Sequence, residues 1–229
     1  MTAERRKAQE RKSSAEAATG ETRLALVDAA LQLFGDKGFE ATSTREIAAR
    51  ANANIASIAY HFGGKQGLRE ACARAVAMRL KTLVGEAILA NEIPGDGDAA
   101  LRILEAGLKA FAHFIITRPE ARNIAAFMLR EIGRPGPTLD LIYGELVDPV
   151  HTRLCELLGV ATGRDPKSPT IKLAAFTLAG QVVYFRIGRE VVLKKMDWRE
   201  IGPDEADDIL ALIVGNLRAF VEANRSASS

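Results

Sequence analysis

The stretch from Ser43 to Gly67, STREIAARANANIASIAYHFGGKQG, admits few folds, because two short helical patterns meet in it at a three-residue break. In the first, Ile47, Ala48 and Ala51 fall at i, i+1 and i+4, an apolar stripe on a helix that Ser43 or Thr44 can cap. Asn52-Ala53-Asn54 ends the pattern. Asn52 tolerates the left-handed backbone that closes a helix, and Asn54 suits the N-cap of the next. From Ile55 to Phe62 the second pattern puts Ile55, Ile58 and Phe62 on an inward side. Ala56, Ser57, Ala59, Tyr60 and His61 lie on the other, a face too small and polar to be core.

Two helices joined by so short a turn, the second presenting small polar side chains outward, form a helix-turn-helix whose second helix enters the major groove. The following YHFGGK brings a phenol, an imidazole and an ammonium to the end of that helix and the start of the next, an array suited to phosphate oxygens.

The stretch ALVDAALQLFGDKGFEATSTREIA, together with YHFGGKQGL, resembles the tetracycline-repressor-like (TetR) transcriptional regulators from about Thr22 to Leu68. The resemblance implies that Thr44 and Lys65 hold phosphates, that Arg45 and the exposed face running from Asn54 through Ile55, Ala56 and Ser57 to Tyr60 and His61 approach bases, and that the rest is a ligand-responsive dimerisation domain. The family usually carries Gly at Asn52 and Tyr at Ala59. Ala59 removes a common phosphate contact, which shifts weight to Tyr60 and His61. A shorter stretch, LKKMDWREIGP, resembles the same connection in the CecR-type subgroup.

The resemblance thus implies an all-α fold: a basic arm over 1–20, expected to be disordered, a three-helix DNA-binding domain over 21–67, and a larger effector and dimer domain over 68–225. Charge divides accordingly. Residues 1–81 carry 14 Lys and Arg against 9 Asp and Glu, and the remainder 17 against 20. Much of the excess sits at Arg5, Arg6, Lys7, Arg11 and Lys12, where it can attract phosphates. No apolar run reaches the ~18 residues of a membrane span, and no secretory signal opens the chain, so the expectation is cytoplasmic. Cys72 and Cys155 read as buried small hydrophobes.

Further along, Leu24, Val27, Ala30, Leu31 and Phe34 give a first helix closed by Gly38, with Phe39 plugging the small core. A long helix from Lys65 to about Ala90 links the two domains, and Asn91 to Asp98 is a loop with Asp98 placed to cap the next helix. Helices follow at 99–117, from Pro119 to Ile132, and at 138–159, the last with a kink or joint at Pro149. Thr170 to Gly188 is apolar nearly all round, and Pro203 to Ala223 is amphipathic; paired about a two-fold axis, these two would form a four-helix dimer bundle.

For an effector pocket the candidates are Phe114, Phe127, Tyr143, His151, Gln181 and Tyr184, with Phe111, Met128 and Phe176 also in reach of such a cavity. No hydrolase, zinc-protease or phosphate-loop motif occurs and the three histidines are dispersed, so no enzyme, metal or cofactor is expected. The expected partners are double-stranded DNA, a small-molecule effector and a second copy of the chain, and the expected role is a repressor released from a palindromic operator. The alternative is an all-helical protein-interaction adaptor. The absence of acidic side chains between Asn54 and Gly67 argues against it.

Overall fold

The computed structural model describes residues 3–89 and 92–225, with side chains from residue 18 onward apart from 86 and 87. Among the described residues every regular element is helical: α1 (Ala3–Lys37), α2 (Thr44–Arg50), α3 (Ala56–Phe62), α4 (Lys65–Val84), a π turn (Gly85–Leu89), α5 (Gly97–Thr117), α6 (Ala121–Ile132), α7 (Pro137–Ile142), a second π turn (Tyr143–Val147), α8 (Asp148–Thr162), α9 (Pro169–Ile187), α10 (Arg189–Met196) and α11 (Pro203–Asn224).

The first helix departs from expectation. Residues 1–20 were expected to be disordered, yet the backbone is helical from Ala3, continuous with the amphipathic part. The segment lacks proline and is rich in Ala, Glu, Lys and Arg, all strong helix formers, so its lack of an apolar face does not stop the helix. The side chains of Arg5, Arg6, Lys7, Arg11 and Lys12 lie outside the described residues, as do Ala90 and Asn91 at the expected end of the fourth helix.

Leu26, Phe34, Ile47, Ile58 and Leu68 form the fully buried heart of the N-terminal module. Phe39 packs half-buried against Phe34, ring centroids 5.5 Å apart. Thr42 is buried and donates to the Gly38 carbonyl at 2.7 Å, pinning the loop between α1 and α2. α4 then runs out of this module into the larger one, where α5 packs against α8, α9 and α11.

One boundary is corrected, the joint expected at Pro149 is located, and one connection gains a helix. Asp96, not Asp98, caps α5: its carboxylate accepts from the backbone N–H groups of Asp98 and Ala99, the latter at 2.9 Å, while Asp98 itself pairs with Arg225. The extended backbone at Asp96 is what an N-cap needs, and the helix therefore starts two residues earlier. The expected single helix over 138–159 is α7 and α8 joined by a π turn immediately ahead of Pro149; the missing proline N–H makes that the place where regular α bonding gives way. The connection between the two last long helices contains the short α10.

Two interactions tie α6 to the N-terminal module. Arg69 on α4 makes a fork of three hydrogen bonds to Glu131, the shortest 2.6 Å, with the carboxylate only 5% exposed. Arg130 donates to the carbonyls of Gly35 and Asp36 at 2.8 and 2.9 Å, satisfying orphan acceptors at the end of α1. Gly35 makes that approach possible: a Cβ there would stand 3.2 Å from both the Asn123 carbonyl and the Ala126 methyl.

Candidate functional site

The turn between α2 and α3 is built by local chemistry. Ser43 caps α2 by accepting from the Glu46 N–H, and Glu46 reaches back to accept from the Ser43 N–H at 2.8 Å, a complete capping box. Lys37 also bonds Glu46. These hydrogen bonds, the one from Lys37 foremost, hold the Glu46 carboxyl at a pKa of about 2. Asn52 takes φ 50° between the helices, and Asn54 Oδ1 accepts from the Ala56 N–H at 2.9 Å to open α3.

On α3 the inward residue is Ile58, 1% exposed. Ile55, read as inward, is 47% exposed, because it precedes the first turn of α3 instead of lying on its buried stripe. Asn54, Ile55, Ala56, Ala59 and Tyr60 form an open face, flanked by Ser57 and His61 at its margin. Tyr60 is 81% exposed, its ring edge-on to His61 at 4.9 Å. Arg45 is exposed on α2 and Thr44 half-buried at its start. Gly63 and Gly64 take φ 70° and 129°, turning the chain so that Lys65 opens α4 with its ammonium 4.1 Å above the Phe39 ring. Arg69 shares that ring at 4.6 Å. Gly67 is demanded by space: a Cβ there would meet the Phe62 carbonyl at 1.9 Å. Sequence reasoning gave Gly67 no role, and its tell is that a glycine stands in the first turn of a helix.

The second module holds an apolar cavity of about 210 Å³, partly open to solvent, between α4, α5, α6, α8, α9 and the two π turns. Its wall includes Leu80, Leu104, Phe111, Met128, Leu154 and Leu178. Of the six leading candidates for a pocket only His151 borders it, but Phe111, Met128 and Phe176, named beside them, line it as well. Phe127 is fully buried under α1 at Gly35, Phe114 lies beneath the Arg79 guanidinium, and Gln181 accepts from Asn216 at 2.7 Å. Tyr143 and Tyr184 are 54% and 52% exposed. Which face of each long helix turns inward decides this. Leu104, Leu108 and Phe111 share the cavity side of α5, and Phe114, a turn further, has rotated toward α4.

Both cysteines are free and buried, as expected. Burial pushes the Cys72 thiol well above its usual range, and does the same to Cys155 more mildly. Among the described residues no group of three or more His, Cys, Asp or Glu stands together, and no helix is long and apolar enough to cross a membrane.

A capped helix pair with an open, acid-free second helix, seated below a larger helical body, defines a helix-turn-helix transcriptional regulator. The chain belongs to the tetR family of bacterial regulatory proteins: that family model matches residues 26–72, and the model for the C-terminal domain of the HTH-type transcriptional dual regulator CecR matches residues 100–224. It is 33% identical over 190 residues to the CecR regulator of Shigella flexneri, covering 80% of this chain and 83% of that one. Among solved structures it shares its fold with AibR in complex with isovaleryl coenzyme A and operator DNA, at TM-score 0.65, 19% identity, and 85% and 97% coverage of the two chains. A regulator from Pseudomonas aeruginosa PAO1 gives TM-score 0.64 at 19% identity, with 89% and 93% covered. The expected family and all-α fold therefore hold, and the resemblance of the C-terminal part to CecR extends far beyond the connection that suggested it.

Proposed function

We propose that the protein is a homodimeric repressor released from a palindromic operator by a small molecule held in the cavity. The observation that carries the reading is α4, which begins at Lys65 beside the open face of α3 and ends in the cavity wall at Leu80, Val84 and the π turn's Ile88. One rigid helix thus meets both sites. A ligand with different affinity for two positions of α4 would shift the spacing of two recognition helices, and a ligand with equal affinity would shift nothing.

In this reading Thr44 and Lys65 hold phosphates, Tyr60 and His61 add to them, and Arg45 with Asn54, Ile55, Ala56 and Ser57 approaches bases. Support for a dimer comes from apolar side chains left uncovered on the last two long helices: Leu173, Phe176, Tyr184 and Ile187 on α9 and Leu212 on α11 are all more than half exposed. The test is selection from a random-sequence duplex pool at moderate salt, followed by sedimentation of the protein with the recovered duplex. A palindrome bound by two chains is expected. Background binding without a motif, or a single chain on an asymmetric site, refutes the reading.

A further inference from the structure

The cavity wall is uniform in a way that selects its occupant. His151 is its one side chain with a titratable group, and that group is already engaged: Nε2 donates to the Lys172 carbonyl at 3.0 Å, Nδ1 faces the Cys155 sulfur at 3.7 Å, and the ring lies 4.2 Å from that of Phe176. Arg153, close by on α8, donates to the Ile88 carbonyl at 2.9 Å and pairs with Glu156. A ligand carboxylate, phosphate or ammonium inside would lose its water and find no counter-charge among these groups. A closed apolar cavity of ~150 Å³ takes up benzene. At about 210 Å³ this one is larger in proportion.

We propose that the cavity takes one uncharged, compact, hydrocarbon-rich molecule of about eight to ten carbon atoms, a fused aromatic or small terpenoid in class. This rests on the reading of the cavity as the effector site and narrows it: a charged group finds no partner in the wall, so anionic amphiphiles and coenzyme A thioesters bind more weakly than a neutral hydrocarbon of matching size. Shape adds to charge. Ile88, on the π turn, packs so closely on Gly107 that a Cβ at Gly107 would stand 2.2 Å from its Cδ1, so the wall is closed at that point and a compact ligand fits better than one that must extend past it.

The test is calorimetric titration of the full-length protein, without DNA, using naphthalene, borneol, naphthalene-2-carboxylate and isovaleryl coenzyme A. Naphthalene or borneol should bind with one site per chain, and the carboxylate about a hundredfold more weakly or not at all. Ala179→Trp, which fills the cavity from α9, should abolish naphthalene binding with helical circular dichroism retained. Equal or tighter binding of the carboxylate or the thioester overturns the proposal, as does binding of no neutral probe or undiminished binding to a folded Ala179→Trp. If that variant does not fold, the matched pair of naphthalene and its carboxylate on the unaltered protein decides alone. Release from the selected duplex is measured separately. Naphthalene that binds and leaves DNA retention unchanged upholds the ligand class while refuting ligand-driven release; the carboxylate binding tightly and releasing DNA does the reverse.

Discussion

The recognition helix draws its open face from a few consecutive residues, Asn54 to His61, whereas the cavity draws its wall from positions spread between Leu80 and Ala179. The first is convex, small and polar; the second is concave and almost wholly apolar. Local bonds hold the first in place: a capping box, an asparagine at φ 50° and another asparagine opening α3. The second exists only once five helices have packed. In the proposed reading, DNA contact therefore depends on a few short-range bonds, and ligand sensing on the whole larger module.

Changes at the seams test that division, and the largest effect is expected at Gly67. Gly67→Ala drives a methyl into the Phe62 carbonyl and should cost about 3 kcal/mol in the N-terminal module, at the upper end of overpacking effects. Urea melts followed by a probe in each module should show the N-terminal transition move first; a single unshifted transition breaks the comparison. Next is Glu131→Ala, which strands Arg69 half-buried between the modules. A loss of about 2 to 4 kcal/mol in denaturant titration is expected, less for Glu131→Gln, which keeps a hydrogen-bond acceptor.

Smaller and more selective effects belong to the open face. Arg45→Ala should lose about 1 to 3 kcal/mol on duplexes carrying its preferred base and little on others. Lys65→Ala should instead weaken every duplex alike and reduce the salt slope by about 1. Identical behaviour of the two variants across a duplex panel would remove base reading from Arg45. The smallest effect is expected from acid. Because the Glu46 carboxyl is held at about 2, below its ordinary 4.5, the stability it lends is full above pH 4.5 and is lost as pH falls toward 2. Glu46→Gln should flatten that limb of the pH–stability curve, and an unchanged limb would assign it to other carboxylates.

The same division explains what could be read from the chain. Ser43, Asn52 and Asn54 carry their roles in their own side chains and neighbours, so the turn was legible residue by residue. The family signature then supplied the fold. Arg69 and Glu131 lie 62 positions apart, and Arg130 reaches a carbonyl 95 positions away; neither pairing leaves a periodic trace. Of the pocket candidates, chosen chiefly for aromatic or polar character, His151, Phe111, Met128 and Phe176 do line the cavity, but most of its wall is Leu, Val and Ala, which no such criterion selects. Asp96 and Asp98 shared a loop of similar residues, and only the backbone could choose between them.

The two π turns bear on how the chain tolerates changes in its length. A π turn holds one residue more than an α turn, so the second, between α7 and α8, has the form of an insertion within a continuous helix. Deleting a single residue within 143–147 should let the helix tighten to regular α bonding, whereas the same deletion in the middle of α8 rotates every later side chain of that helix by about 100°. Leu146 and Val147 of that turn line the cavity, so a one-residue change there would reshape the cavity wall while leaving the face of α3, in the N-terminal module, untouched.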